Sequence, residues 1–150
     1  MKTLIIMRHA HASTGACNDF LRKLTLEGIE ESKTAGLNLK HAGVIPELIV
    51  ASSAARATET ARELATVLQL AANQIVFDGT IYHCGSSELL TLIRHVPDNI
   101  KVMMIVGHNP AVSELVSLLS SHQHSLHPAE QVIVRSSSEN WHDFDKYLHP

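Results

Sequence analysis

The sequence predicts an α/β protein, a three-layer α/β/α sandwich in which a mostly parallel sheet carries helices on both faces. Three observations predict it. Short uninterrupted apolar runs, Leu4-Ile5-Ile6-Met7, Leu48-Ile49-Val50, Ile75-Val76-Phe77 and Met103-Met104-Ile105-Val106, read as strands, the first of them buried on both faces. Stretches rich in helix formers separate them, the order that a parallel sheet requires. The 150 residues, 45% apolar and 18% charged, suffice for one core and leave little room for a second, so a single domain over residues 1–150 is expected.

The first run stops at Arg8 and His9, which therefore sit at the carboxyl end of a strand, the edge where open α/β sheets bind ligands. Residues 10–24 hold turn formers, Ser13, Gly15, Asn18 and Asp19, and end in Arg22 and Lys23. Thr25 is placed to cap a helix that runs to about Ala42 and stops at Gly43, with Leu26, Ile29, Ala35, Leu37 and Leu39 as a loose apolar stripe. A strand from Glu47 to Ala51 follows Pro46, and a helix from Ala54 to Leu70 follows Ser52 and Ser53. Arg56 lies in the first turn of that helix, where a cation opposes the helix dipole; an anionic ligand would justify the cost.

Residues 79–87 form a loop after the third strand, and Glu88 to His95 a short helix. The run Lys101–Val106 is the most apolar and belongs at the sheet centre; it leads into Gly107-His108-Asn109-Pro110, with Asn109 as a helix cap and Pro110 as its first residue. His108 thus repeats the position of His9. Gln131–Arg135 reads as a strand, and Trp141–Tyr147 as an edge strand closing the sheet. The His122, His124, His127 cluster reads as a solvated loop, and Met103 and Met104 as core.

Several functions are excluded or disfavoured. A net charge of −3 argues against a nucleic-acid partner. No stretch approaches a membrane span, and only a few apolar residues follow Met1-Lys2-Thr3, so a cytoplasmic protein is expected. Cys17 and Cys84 fit no metal spacing and read as free thiols. Neither a P-loop, a GxGxxG nor a GxSxG elbow occurs.

What the topology brings together is a set of cations with two imidazoles: Arg8, His9, Arg56 and His108 on three strand ends, and Arg22 beside them. Forked guanidiniums suit phosphoryl oxygens, and the remaining economical chemistry is phosphoryl transfer with a histidine nucleophile. His9-Ala10-His11 also offers an H-x-H to a metal, but no H-x-H-x-D-H follows, and metallohydrolysis ranks below phosphoryl transfer. A non-catalytic phosphate-binding module is a further alternative.

Arg8-His9, Arg56 and Val106-Gly107-His108-Asn109-Pro110 resemble the histidine phosphatase (phosphoglycerate mutase-like) superfamily. Arg22-Lys23-Leu24-Thr25-Leu26-Glu27-Gly28 and Ser52-Ser53-Ala54-Ala55-Arg56-Ala57 are similar to segments of its SixA-type phosphohistidine phosphatases, and the likeness spans residues 3 to about 120. The resemblance implies that His9 is the nucleophile, neutral at its attacking nitrogen. It also implies that Arg8, Arg22, Arg56, a protonated His108 and Asn109 bind the phosphoryl oxygens, and that neither metal nor cofactor takes part. The expected substrate is a phosphohistidine on a phosphotransfer-type signalling protein, and the expected state a monomer; the alternative is a small-molecule phosphate monoester. Between Arg56 and His108 there is room for one strand, one loop and one helix but no lid insertion, which suits a protein substrate. The leaving-group acid of the larger family has only Glu88 and His83 as candidates here. Glu88 reads more simply as a favourable charge at a helix start and His83 as a loop residue. Three positions depart from the pattern: Ala10 replaces a glycine, and Lys23 and Ala54 replace prolines. Ala10 is expected to crowd the phosphate site.

Overall fold

The computed structural model describes residues 1–15 and 17–149. Strands β1 (Lys2–Arg8), β2 (Leu48–Ser52), β3 (Ile75–Asp78), β4 (Val102–Gly107) and β5 (Gln131–Ser136) form one sheet in the order β3-β2-β4-β1-β5. β4 is central, as its composition predicts. β1 runs parallel to β4, and β2 parallel to both β3 and β4; β5 pairs antiparallel with β1.

The apolar runs of β1 and β4 are explained by a core on each side, whereas Val76 and Phe77 of the edge strand β3 are exposed. Side chains alternate between faces along a strand. Leu4, Ile6, Met103 and Ile105 pack on one face with Leu89, Ile93, Val112 and Leu115 from helices α3 (Ser86–Arg94) and α4 (Ala111–Ser120). Ile5, Met7, Met104 and Val106 pack on the other with Leu39, Ala61 and Leu64 from α1 (Leu26–Ala42) and α2 (Ala55–Leu68). All eight of these strand residues are wholly buried, and each large side chain contributes about 1.5–3 kcal/mol.

α1 differs from the expected stripe. Leu26 and Leu37 are exposed, and the buried face is Gly28, Ser32, Ala35, Gly36 and Leu39. These small residues keep helical spacing and let the backbone approach its neighbours. The Thr25 hydroxyl caps α1 by accepting the Gly28 N–H at 3.0 Å. A Cβ on Gly28 would lie 2.1 Å from the His11 carbonyl oxygen, so only glycine fits there. Thr25 and Gly28 thus have one purpose, which is to seat α1 against the segment after β1. Gly43, at φ 71°, closes the helix as expected.

The segment read as a sixth strand is not one. Residues 141–147 turn and form a short 3-10 segment at Phe144–Lys146, and the chain bridges to β5 between Ser136 and Leu148 just beyond it. The reason is burial: Trp141 and Phe144 are wholly enclosed and stacked at 5.3 Å, and the Trp141 indole N–H donates to the Ile100 carbonyl at 2.7 Å. A strand would have pointed these aromatics to opposite sides or to solvent. Among the described residues no helix is long and apolar enough to cross a membrane.

Candidate active site

The carboxyl ends of β1, β2 and β4 meet at one edge. His9, just past β1, is buried and donates its backbone N–H to the Gly107 carbonyl at 3.1 Å. Its Nδ1 lies 2.8 Å from the Ala10 carbonyl oxygen. A carbonyl can only accept, so Nδ1 carries the proton and Nε2 keeps its lone pair. The Nε–H of Arg56 donates to that lone pair at 3.3 Å. Burial, then Arg56, Arg8 and Arg22, push the imidazole pKa down to about 4, against the opposing pull of the Ala10 carbonyl. His9 is therefore neutral, with Nε2 free to act as a nucleophile.

Arg56 is nearly enclosed, in the first turn of α2. Its Nη1 donates to the Asp19 carbonyl at 2.7 Å and its Nη2 to the Asp19 carboxylate at 3.1 Å. Arg22 donates from Nε to the Ser13 carbonyl at 2.7 Å and from Nη1 to the Asp19 carboxylate at 3.0 Å. Arg8 donates from Nη1 to the Leu126 carbonyl at 3.2 Å, while its Nε is buried without a partner among the described residues.

His108 pairs with Ser52 at the end of β2, Nε2 to Oγ 2.8 Å. The same hydroxyl oxygen accepts the Ala54 N–H at 3.2 Å, a bond that a proline at this position could not supply. The hydroxyl can donate to Nε2 or accept from it, and Nδ1 is buried with no partner among the described residues. Burial first, then His9 and Arg56, lower the His108 pKa to about 3, with Asp19 opposing. The protein's own groups therefore favour a neutral His108. The protonated form expected from the sequence needs a further anion close by to offset them.

Asn109 does not cap α4. Its Nδ2 donates to the Leu126 carbonyl at 2.9 Å and its Oδ1 accepts the Ser113 hydroxyl, so its side chain is spent on bracing a loop; Pro110 stands at the cap position instead. Leu126 thereby ties Asn109 to Arg8. Ala10 is enclosed, lies outside the left-handed region and donates its N–H to the Thr60 hydroxyl at 3.1 Å, so its backbone does not require glycine. Glu88 accepts the Gly85 N–H at 2.9 Å and the Ser87 hydroxyl at 3.2 Å. A hydrogen bond to its own backbone and these two bonds hold its carboxyl below the usual range at the start of α3. His83 is exposed, its ring 4.2 Å from that of Tyr82. The second histidine of the H-x-H, His11, turns instead to Glu31 at 2.7 Å and Glu27 at 3.8 Å. That trio is the metal-competent group among the described residues, and it excludes His9 and His108.

Sequence reasoning missed Asp19, Tyr82, Ser52 and the loop of Leu126 and Ala129. Asp19 was visible only as a carboxylate three residues before Arg22, a helical pairing distance. It accepts from Arg22, Arg56 and the Tyr82 hydroxyl, which hold its carboxyl well below the usual range. The Ala129 N–H donates to both the Arg8 and His9 carbonyls at 3.1 Å, bracing the end of β1 from the loop that looked merely solvated.

No family model matches the chain. The chain is 30% identical over 118 residues to the phosphohistidine phosphatase SixA of Escherichia coli K12, covering 77% of this chain and 73% of that one. A SixA-type structure from Nakamurella multipartitia superposes with a TM-score of 0.82 at 24% identity, covering 99% and 94% of the two chains. A protein histidine phosphatase SixA solved with tungstate gives 0.78 at 26% identity, covering 92% and 91%. A mycobacterial glucosyl-3-phosphoglycerate phosphatase, at 14% identity and a TM-score of 0.69 over 99% and 95% of the chains, shares the fold. The chain belongs to the SixA-type phosphohistidine phosphatases of the histidine phosphatase superfamily and is a phosphatase.

Proposed function

We propose that the chain hydrolyses phosphohistidine carried by a phosphotransfer-type protein, by way of a phosphoryl group held covalently on His9. The observation that carries this reading is the His9 hydrogen-bond pair: Nδ1 is pinned to the Ala10 carbonyl, and the unprotonated Nε2 accepts from Arg56 Nε. His9 Nε2 attacks phosphorus as the bond to the substrate's ring nitrogen breaks, and water then attacks the phosphohistidine so formed. Arg8, Arg22, Arg56 and His108 surround the phosphoryl oxygens and offset the charge that builds there. A dianion in their midst favours protonation of His108. Asn109 acts through the Leu126 carbonyl that it shares with Arg8.

Two further points support the substrate class. Glu88 is committed to its helix start, and departure of an alkoxide needs an acid, whereas an imidazole leaves far more readily. The matched E. coli relative is by name a phosphohistidine phosphatase. The two free thiols, Cys17 and Cys84, suit an enzyme of a reducing compartment such as the cytoplasm. The test measures phosphate release from a phosphohistidine-bearing phosphotransfer domain beside that from an aryl phosphate, with His9→Ala as control. Faster turnover of the phosphohistidine, lost in the variant, is expected. Preference for the ester would move the assignment to small-molecule monoesters, and activity that survives His9→Ala would end the covalent mechanism.

A further inference from the structure

Asp19 is an odd neighbour for a phosphate clamp, because like charge repels a phosphoryl dianion. Yet it is firmly built in. Its carboxylate accepts from Arg22 Nη1 at 3.0 Å, from Arg56 Nη2 at 3.1 Å and from the Tyr82 hydroxyl, while its side chain remains 52% exposed. One guanidinium links it to the reacting nitrogen, since Arg56 touches Asp19 through Nη2 and His9 Nε2 through Nε. Tyr82, which donates to it, brings further rings: Phe20 meets Tyr82 edge-to-face at 5.0 Å, and the His83 ring lies 4.2 Å from that of Tyr82. A fixed anion walled by flat rings is a receptor for a flat cation.

We infer that Asp19 is a specificity-determining residue that receives the protonated imidazole of the substrate. Its carboxylate accepts the N–H of the ring nitrogen not bonded to phosphorus, with Phe20, Tyr82 and His83 around the ring. This role rests on the phosphohistidine reading and explains how the reaction proceeds without a general acid. The lone pair of His9 Nε2 forms the new P–N bond, and the old P–N bond breaks with its electron pair going to the substrate's ring nitrogen. A ring already protonated on its other nitrogen then leaves as neutral imidazole, and no proton has to be delivered. An ester leaving group has no such N–H, so Asp19 offers it only repulsion. A carboxylate this close also raises the ring's own pKa, by about one unit at a half-exposed position, which keeps the reactive form populated at higher pH.

The test compares wild type, Asp19→Asn and Asp19→Glu on a phosphohistidine peptide and on an aryl phosphate, with kcat/KM followed against pH. Asparagine keeps an acceptor for Arg56 and Tyr82 but loses the charge. Asp19→Asn should lower the phosphohistidine-to-ester ratio of kcat/KM by roughly tenfold or more. Its alkaline limb on phosphohistidine should move down by about one pH unit, and Asp19→Glu should recover most of the ratio. Equal losses on both substrates, complete loss of both included, or an unmoved alkaline limb would reduce Asp19 to an anchor for Arg56 and overturn the proposal. A wild type that ignores phosphohistidine would remove the substrate reading and this role together; an active wild type with an unchanged ratio in the variant would remove this role alone.

Discussion

The ends of β1 and β4 share one pattern, a buried parallel strand that delivers a histidine to the sheet edge, with ring centroids 5.2 Å apart. They differ in what holds the second nitrogen. His9 faces a carbonyl, which accepts and cannot donate, so its tautomer is fixed and Nε2 stays bare. His108 faces the Ser52 hydroxyl, which can donate to a neutral ring or rotate and accept from a protonated one. The carbonyl suits a nucleophile, whose lone pair must persist. The hydroxyl suits a group that gains a proton when a dianion arrives. Two imidazoles of similar burial are thereby given different hydrogen-bonding capacity by one partner each.

The contrast can be broken most severely at its nucleophilic end. His9→Ala should lower kcat on phosphohistidine by at least about 10⁴-fold; a loss of only tenfold would mean that Nε2 is not the attacking atom. His108→Ala removes a charge-stabilising donor and should cost about 10²–10³-fold, read in kcat; a change confined to KM would show that His108 only binds. Acid tests both ends together. The folded pKa values of about 4 and about 3 lie below the ordinary 6.5. The unfolded chain therefore takes up protons that the fold refuses, and stability present above pH 6.5 is lost as pH falls toward 4. For His9 the loss by pH 4 is on the order of 3 kcal/mol. Urea midpoints measured between pH 7 and 4 should fall steeply, and less steeply in His9→Gln; an equal slope in the two would show that His9 titrates normally. The acid limb of kcat/KM on an aryl phosphate should likewise lie well below pH 6.5. The smallest effect is the sharpest discriminator. Ser52→Ala should reduce kcat about five- to tenfold through one lost hydrogen bond to His108, while the His9-dependent acid limb stays in place. A shifted limb would show that the two ends are not separate.

The strand ends themselves were legible in the sequence. Arg8, His9, Arg56 and His108 each follow or adjoin a short apolar run, and a parallel sheet must bring such positions to one edge. The apolar run of β1 also announced burial on both faces, and Thr25 and Gly43 the limits of α1. The misreadings share a cause. Asn109 has the residue type of a cap, yet its side chain found the Leu126 carbonyl seventeen residues away in the chain. Trp141 and Phe144 have the β-propensity of a strand, yet the Ile100 carbonyl and the core cavity hold them in turns. α1 buries Gly28, Ser32 and Gly36 and leaves Leu26 and Leu37 exposed, because Gly36 lies against Val67 of α2 and Gly28 against the His11 backbone. In each case a contact remote in sequence outweighed the local preference.

Sequence alone therefore determined the architecture and the cations of the site, because hydrophobic period and strand-to-helix order act locally. Only the tertiary structure decided which imidazole keeps its lone pair, that Asp19 sits among the arginines beside Tyr82, and that the Ala129 loop braces β1. Those are matters of which donor meets which acceptor once the chain has folded, at separations from one residue for His9 and Ala10 to 63 for Asp19 and Tyr82. A hydrogen bond depends on tenths of an ångström and on direction, and neither is written in spacing.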